Sequence, residues 1–388
     1  MGAHIAVLAV PSAGHVYPTL PLVEELVRRG HRVTYATGPA MRDAVAAAGA
    51  DPVVPDAPWA KVAAAPSRTT EDVAETLSGA LEVTRAVVPQ LTAVFGADRP
   101  DVVCHDALTP FGPVLACLLD RPSVATVPTF AGNDVFDPAT LLAPAGFDPA
   151  HPRMAAYAAE QARFAAETGV PAGILTSVGR QADRKLVFLP REFQIAGDTF
   201  GDDYRFIGPA FGSRAGTADW TPPPEPVLFV SLGTVVNDRP GFFAACVTAF
   251  AGTGRRVLMA VGDRVDPASL GPLPANFDVR PSFPQPAVLA HAAVFLSHTG
   301  MNSTMESLLC RVPLVSYPQT PEQEANGRRV EELGLGRVLR TAEPAVLRRT
   351  VDEVAADPAI RAALDRMAGY LRAAGGPPAG ADAVEELL

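Results

Sequence analysis

Residues 298–323 read HTGMNSTMESLLCRVPLVSYPQTPEQ and contain the most informative pattern of the chain. The residues before them, AVFLS at 293–297, form a short apolar run that predicts a buried parallel strand. His298, Gly300 and Asn302 follow this run and predict a tight turn at its end. The segment therefore predicts a strand followed by a turn and then a helix. Parallel α/β sheets are built from such units.

A helix is predicted after this turn, with Asn302 or Ser303 as its N-cap. Glu306 lies three residues after Ser303, which is the spacing of a capping box. The first N–H groups of a helix lack intrahelical acceptors, and the aligned peptide dipoles add partial positive charge. This helix end therefore favours an anion such as a diphosphate, to which His298 and Ser303 add hydrogen-bonding groups. Taken singly, Ser303 and Glu306 are better explained as a helix cap, and His298 as a core histidine.

A second polar segment follows the next predicted strand, VPLVSYP at 312–318. That strand ends in Gln319, Glu322 and Gln323. Doubly wound sheets bind their ligands beyond the carboxyl ends of the strands. We therefore expect two adjacent loops to face one crevice, with an acid and an amide suited to reading hydroxyl groups.

The combined pattern H-x-G-x-N-S-x-x-E fixes five residues, and at about 5% usage each its chance occurrence in a chain of this length is roughly one in ten thousand. The stretch resembles the donor-binding signature of family 1 glycosyltransferases, closest to the bacterial macrolide glycosyltransferase branch, and the resemblance covers essentially the whole chain. It implies that His298 and Ser303 contact the diphosphate of a nucleotide sugar, together with Gly300 and Asn302. It also implies that Glu306 holds the ribose hydroxyls, and that the donor sugar hydroxyls are held by Glu322 and Gln323.

The alternation of strands and helices predicts two α/β halves. IAVLAV at 5–10, a helix over 18–29 and RVTYAT at 32–37 form a first βαβ unit, and PVLFVSLGT at 226–234 begins a second alternation. The resemblance implies the GT-B architecture, two Rossmann-like domains facing each other across a cleft. The expected division is an acceptor-binding domain at 1–207, a linker at 208–225, a nucleotide-sugar-binding domain at 226–370 and a C-terminal segment at 371–388 whose helix crosses back to the first domain.

No G-x-G-x-x-G follows the first strand of either half, which argues against a dinucleotide fold. The nearest analogue is SLGT at 231–234. There Gly233 permits close approach of a ligand to the backbone, and Ser231 and Thr234 offer hydroxyl groups for a phosphate. Any strand end that contains glycine would look similar, so this turn supports the donor site only beside the second motif.

His15 is the expected catalytic base, because the loop after the first strand directs it to the carboxyl edge of the sheet. Asp106 ends the strand PDVVCHD in the same sheet and is expected to orient the imidazole and stabilise its protonated form. The resemblance assigns the same pair. Gly14, beside His15, is assigned to the nucleotide-sugar contacts. His105 neighbours Asp106 but points to the opposite face of a strand, so it is left out of the mechanism.

The chain departs from the family pattern at SFPQ, where relatives carry a tryptophan that stacks on the base. Ser282 occupies the tryptophan position, and Phe283 beside it is the candidate replacement. Gln285 is expected to reach the ribose. Base recognition stays open at this point, so that both a UDP-sugar, with UDP-glucose favoured, and a dTDP-sugar are compatible donors.

Composition limits the other functions. The net charge of −10 provides no basic face for nucleic acid or an anionic membrane, so a phosphate must be bound locally. No apolar run reaches the ~18 residues of a membrane helix, and the N-terminus has no basic region before its apolar run, so we expect a soluble cytoplasmic protein without a signal peptide. The four cysteines are far apart and predict neither zinc nor disulfides: Cys104, Cys117, Cys246 and Cys310.

These features predict an inverting, metal-independent glycosyltransferase with a nucleotide sugar as co-substrate and no tightly bound cofactor. The acceptor is expected to be a hydrophobic small molecule such as a macrolide, polyketide or flavonoid, held by loops near 55–80 and 129–165. Five aromatic residues are candidates for its pocket, although such side chains are often core: Phe130, Phe136, Phe147, Tyr157 and Phe164. The alternatives are a nucleotide-sugar epimerase of the same fold and a non-catalytic auxiliary protein. The chain is expected to be a monomer or homodimer.

Overall fold

The computed structural model divides the chain into two compact units. Unit 1 consists of Met1–Gly212 and Ala374–Leu388, and unit 2 consists of Ser213–Ala373. The boundary lies within the segment expected as a linker. The residues that the structure describes are 2–62, 69–176, 180–215 and 220–388.

Unit 1 contains a seven-stranded sheet. Its strands are β1 His4–Leu8, β2 Arg32–Ala36, β3 Asp51–Val53, β4 Val102–Asp106, β5 Ser123–Val127, β6 Arg184–Val187 and β7 Tyr204–Phe206. All neighbouring strands are parallel, in the order β3-β2-β1-β4-β5-β6-β7. The helices are α1 Ala13–Val16, α2 Leu20–Arg28, α3 Arg42–Ala47, α4 Thr70–Ala97, α5 Phe111–Leu119, α6 Ala139–Leu142, α7 Pro152–Thr168 and α8 Gly173–Thr176.

Helices cover both faces of this sheet because each central strand is apolar on both sides. Along β4, Val102 and Cys104 pack into a core with α2, whereas Val103 packs into a second core with α4 and α5. The 28-residue α4 begins at a capping box formed by Thr69 and Asp72. The regions expected as acceptor loops are thus partly helical, because α4 and α7 begin within them. Residues 63–68 lie outside the described part of the chain.

Unit 2 contains a second parallel sheet, of six strands. They are β8 Val227–Ser231, β9 Arg256–Ala260, β10 Phe277–Arg280, β11 Ala292–Ser297, β12 Leu314–Ser316 and β13 Gly336–Val338. The order is β10-β9-β8-β11-β12-β13. The helices are α9 Pro240–Phe250, α10 Gln285–Leu289, α11 Met301–Leu309, α12 Pro321–Glu332, α13 Pro344–Ala356 and α14 Pro358–Ala373. The prediction of two parallel α/β halves is confirmed.

The C-terminal helix, α15 Gly376–Glu385, belongs to unit 1 and packs against α2 and β6. Ala381, Ala383 and Val384 are buried in the core that also contains Val102. Arg29 of unit 1 adds ion pairs to Asp382 and Glu385 at 2.6 and 2.7 Å. The last residues of the chain therefore complete the core of the unit in which the chain begins. In the described part of the chain, no helix is sufficiently long and apolar to cross a membrane.

Candidate active site

Both sheets reverse their strand order once, and four of the expected site residues lie at these two points. In unit 1 the order reverses between β1 and β4, and in unit 2 between β8 and β11. The connections after two such strands leave on opposite faces of the sheet and open a crevice beyond the carboxyl ends. His15 follows β1 and Asp106 is the last residue of β4, whereas Gly233 and His298 follow β8 and β11.

The structure brings His15 and Asp106 together in unit 1. His15 Nδ1 lies 2.7 Å from Asp106 Oδ2, and Asp106 Oδ1 accepts a hydrogen bond of 2.7 Å from the Leu108 N–H. The Asp106 side chain is fully buried, whereas 21% of the His15 side chain is exposed. His15 lies in the short helix α1 and not in an irregular loop. Gly14, exposed beside it, also lies in unit 1, while the other expected donor residues lie in unit 2.

The alternation of side chains along β4 explains which histidine meets Asp106. Asp106 lies on the same side of the strand as Cys104, which faces α2, whereas His105 faces the opposite core and α5. His105 is fully buried, and burial lowers its pKa to about 4, so that its imidazole is neutral at pH 7. Its expected absence from the mechanism agrees with this position.

In unit 2 the last residues of three neighbouring strands are aligned. Ser297 is the register partner of both Ser231 and Ser316, so β8, β11 and β12 end side by side. The turn with Gly233, the turn with His298 and the loop before α12 therefore leave one edge of the sheet. The sequence predicts a shared crevice at this edge.

The His298 imidazole lies between two glycine residues. A Cβ atom at Gly233 would lie 2.6 Å from the ring, and one at Gly300 would lie 2.5 Å from Nε2. Gly233 also has a φ of +75°, which favours glycine. Burial lowers the pKa of His298 to about 4, and Nδ1 has no hydrogen-bond partner among the described residues. A neutral imidazole with an unpartnered buried nitrogen is suited to one further hydrogen bond with a ligand.

Helix α11 begins two or three residues earlier than its sequence suggests. Gly300 is its N-cap and makes no side-chain cap, so the prediction that Asn302 or Ser303 caps the helix is wrong. Both residues lie in the first turn, because the extended backbone of Gly300 already ends the preceding turn. Ser303 instead accepts a hydrogen bond of 3.2 Å from Gln285 Nε2. This helix end therefore has no side-chain cap competing with an anion.

Glu306 is held on both carboxylate oxygens. Its side chain is 8% exposed, Oε2 accepts a hydrogen bond of 2.7 Å from Gln285 Nε2, and Oε1 accepts one of 3.1 Å from Arg214 Nη1. Gln285 thus lies beside Glu306, as a shared role at a ribose requires. Arg214 is absent from the sequence-based site, because it precedes the motif by more than 80 residues and lies in a segment without periodicity.

Thr299 and Asn326 form a second feature that sequence reasoning missed. Thr299 has a φ of +57°, which is strained for a β-branched residue. Its hydroxyl lies 2.7 Å from the His298 carbonyl oxygen and 3.1 Å from that of Gln323, and its own carbonyl accepts from Asn326 Nδ2 at 3.0 Å. These bonds fix the turn of His298 to α12.

The residues expected at the donor sugar lie at the start of α12. Glu322 is half-buried in the first turn, and Gln323 is 9% exposed. Gln323 Oε1 accepts a hydrogen bond of 2.8 Å from the Gln319 N–H, so the amide nitrogen is the group of this side chain suited to a ligand. Thr234 is exposed after β8, and Asn237 holds the Gly233 carbonyl oxygen at 2.8 Å.

Phe283 is half-buried beside α10. The Arg280 guanidinium lies over its ring at 5.0 Å from the centroid, and the Phe229 ring contacts it edge-on at 6.2 Å. The expectation that Phe283 stacks on a base therefore concerns the face of the ring away from Arg280. Arg280 is itself paired with Asp278 at 2.7 Å.

The aromatic residues expected around an acceptor divide into core and partly exposed side chains. Phe130 and Phe164 are buried, and Phe130 stacks on Phe193 at 6.0 Å, so both contribute to packing. Tyr157 packs against the α4 and α5 core, and burial raises its pKa to about 12. Phe136 and Phe147 are half-buried. Among the described residues, no group of three or more His, Cys, Asp or Glu side chains could hold a metal ion.

The chain is similar to glycosyltransferases in sequence and in structure. The family described as Erythromycin biosynthesis protein CIII-like, C-terminal domain, matches residues 251–387. Demethyllactenocin mycarosyltransferase of Streptomyces fradiae is 37% identical, over 100% of this chain and 87% of its own length. NDP-glycosyltransferase YjiC of Bacillus licheniformis is 33% identical, over 99% of this chain and 98% of its own length.

A solved glycosyltransferase structure is also similar to this chain. CalG4, the calicheamicin glycosyltransferase, has 35% sequence identity and a TM-score of 0.87, and the match covers 100% of this chain and 98% of CalG4. The similarity therefore includes both sheets and the C-terminal helix, and not only the C-terminal motif.

The buried histidines predict an acid-sensitive stability. His105 and His298 have pKa values of about 4 when folded against 6.5 for a free imidazole, so the unfolded chain binds more protons between these values. Stability is then full above pH 6.5 and falls as the pH is lowered towards 4. At pH 5 the loss is about 2 kcal/mol for each histidine.

Urea unfolding between pH 7.5 and 5 measures this loss. The variants His105→Gln and His298→Gln should each reduce the slope of unfolding free energy against pH, whereas His291→Gln, at an exposed position, should leave it unchanged. Equal slopes in all four proteins would contradict the prediction.

Proposed function

The chain belongs to the family 1 GT-B glycosyltransferases of the erythromycin biosynthesis protein CIII-like type, and from this membership we propose that it transfers a hexose from a nucleoside diphosphate sugar to a hydroxyl of a hydrophobic natural product. The observation that carries the proposal is the hydrogen bond of 2.7 Å between His15 and Asp106. An epimerase or an auxiliary protein of the same fold has no need for a base that deprotonates an acceptor.

The first step is removal of the acceptor proton. With Asp106 ionised, His15 Nδ1 donates its proton to Oδ2, which leaves a lone pair on Nε2 to take the proton of the acceptor hydroxyl. Asp106 holds the imidazole in this tautomer and stabilises the imidazolium that forms. The Leu108 N–H fixes the other carboxylate oxygen, so the pair is oriented before substrate binds.

The second step is a single displacement with inversion. The acceptor oxygen forms a bond to the anomeric carbon as the bond between that carbon and the diphosphate oxygen breaks. The first turn of α11 and the neutral His298 imidazole receive the negative charge that grows on the diphosphate. No covalent intermediate with the protein is required, because the acceptor oxygen itself attacks the anomeric carbon.

A UDP-sugar, with glucose as the sugar, is the favoured donor, and a dTDP-sugar is the second candidate. Support comes from Glu306, whose buried carboxylate is suited to the vicinal hydroxyls of ribose, and from Glu322 and Gln323, which are suited to sugar hydroxyls. The relative named NDP-glycosyltransferase supports a nucleoside diphosphate donor without choosing the base.

The proposed acceptor is a macrolide, a polyketide or another apolar natural product. The names of the relatives support this class. Unit 1 also exposes large apolar side chains near the dyad in sequence and in the segment expected to bind acceptor: Leu108, Val135 and Leu142. We further propose that the enzyme works in the cytoplasm as a monomer or homodimer, in agreement with cysteines that form no disulfide among the described residues.

Loss of the base should abolish turnover and spare nucleotide binding. His15→Ala is expected to lower kcat by about 10²- to 10⁴-fold, because no base then remains at this position to take the proton of the substrate hydroxyl. Asp106→Asn should also lower kcat, since an amide does not select the productive tautomer. The assay measures nucleoside diphosphate release with a panel of macrolide and flavonoid acceptors, and calorimetry with UDP is the control. Full turnover by His15→Ala would remove His15 from the mechanism.

Turnover should persist in a chelator. We propose that the α11 turn and His298 stabilise the diphosphate in place of a divalent cation, so activity after incubation with excess EDTA is expected to stay within twofold of the untreated value. Restoration of a lost activity by Mg²⁺ or Mn²⁺ would contradict this part of the mechanism.

A methyl group beside His298 should weaken nucleotide binding. Gly300→Ala places Cβ 2.5 Å from His298 Nε2, so the ring must move from its position. We expect the Kd for UDP to rise at least tenfold, which corresponds to the loss of about one hydrogen bond to a charged group. Gly241→Ala is the matched control, because nothing lies within 4 Å of a Cβ there. Equal calorimetric affinities of the two variants would show that the His298 ring is not a diphosphate contact.

A further inference from the structure

Arg214 is a charged side chain that the proposed reaction does not use. It lies in the short 3-10 helix Gly212–Ala215 and its guanidinium approaches Glu306 at 3.1 Å. Its side chain is 28% exposed and that of Glu306 is 8% exposed, so the pair is largely removed from water. An ion pair in this environment needs further hydrogen bonds to offset desolvation. Gln285 provides one, at 2.7 Å from the second carboxylate oxygen.

Both oxygens of the Glu306 carboxylate have hydrogen-bond partners in the protein before a nucleotide binds. Glu306 Oε1 already accepts from Arg214, and Oε2 already accepts from Gln285. Each oxygen has two lone pairs, so one remains on each for a ribose hydroxyl. A site rejects an analogue that lacks a hydroxyl chiefly when that loss leaves a buried polar group without a partner. Here neither oxygen is left without a partner.

We infer that Arg214 is a specificity-determining residue of the donor site: together with Gln285 it satisfies Glu306 and makes the site tolerant of a missing ribose 2′-hydroxyl. The inference rests on the proposed function and addresses the choice between ribonucleotide and deoxyribonucleotide donors. Without Arg214 the buried Oε1 depends on the ribose for its hydrogen bond. A ribonucleotide offers two hydroxyl donors to this carboxylate, whereas a 2′-deoxyribonucleotide offers only its 3′-hydroxyl, so the loss of the Arg214 bond weakens deoxyribonucleotide binding more.

The test separates the ribose from the base. Calorimetry with UDP, dUDP, 5-methyl-UDP and dTDP gives two pairs that differ only in the 2′-hydroxyl and two that differ only in the methyl group. The unchanged protein should bind UDP and dUDP with Kd values within about threefold of each other. In Arg214→Met this ratio should rise to about tenfold or more, as expected when one buried acceptor is left unpaired.

Two further variants make the result specific. Arg214→Lys keeps a charged donor beside Glu306 and should restore a ratio near that of the unchanged protein. Arg239→Met removes a different arginine of unit 2, which donates to Gln319 at 2.8 Å, and should leave the ratio unaltered. Thermal unfolding of each variant establishes that it is folded before its affinities are compared.

Three outcomes would overturn the inference. A ratio above tenfold in the unchanged protein would show that the site already demands the 2′-hydroxyl. An unchanged ratio in Arg214→Met would show that Glu306 does not depend on Arg214. Equal tightening of UDP and dUDP in Arg214→Met would show that Arg214 blocks the site. Failure of all four nucleotides to bind would instead overturn the donor site itself, which distinguishes failure of the proposed function from failure of the inference alone.

Discussion

The parallel arrangement of the strands is the constraint on which both sites depend. Parallel strands end at the same edge, and where the strand order reverses, two successive connections diverge and leave a crevice. The β1 and β4 pair in unit 1 and the β8 and β11 pair in unit 2 are these points. His15 and Asp106 are 91 residues apart in sequence, yet the sheet brings His15 Nδ1 to 2.7 Å from Asp106 Oδ2.

This constraint also explains which parts of the structure could be predicted from the sequence. The apolar runs of β1, β4, β8 and β11 identify the strands, and the residues directly after a strand must lie at the shared edge. The sequence places the start of α11 too late, because Ser303 and Glu306 have the spacing of a capping box. In the structure both side chains instead accept hydrogen bonds from Gln285, which is distant in sequence. The positive φ of Thr299 has no sequence signal, since β-branched residues rarely adopt it.

Arg214 shows a further limit of sequence reasoning. A long flexible side chain in an aperiodic segment has no predictable direction, and its partner Glu306 is 92 residues away. The motif identifies the carboxylate but contains no residue that indicates which cation pairs with it. For the aromatic residues the sequence left core and acceptor pocket open, and the structure buries Phe130 and Phe164 in packing contacts.

The two carboxylates of the proposed sites are organised by the same physical rule. Asp106 is bonded by His15 and by the Leu108 N–H, and Glu306 is bonded by Arg214 and Gln285, so each oxygen of each group has a partner in the protein. A buried carboxylate without hydrogen-bond partners in the free protein would destabilise the fold and would have to be ordered on ligand binding. Prior pairing removes that cost and fixes the orientation of the group. The same pairing reduces discrimination against a ligand that lacks one hydroxyl, so the order that stabilises a site also broadens the set of ligands that it accepts.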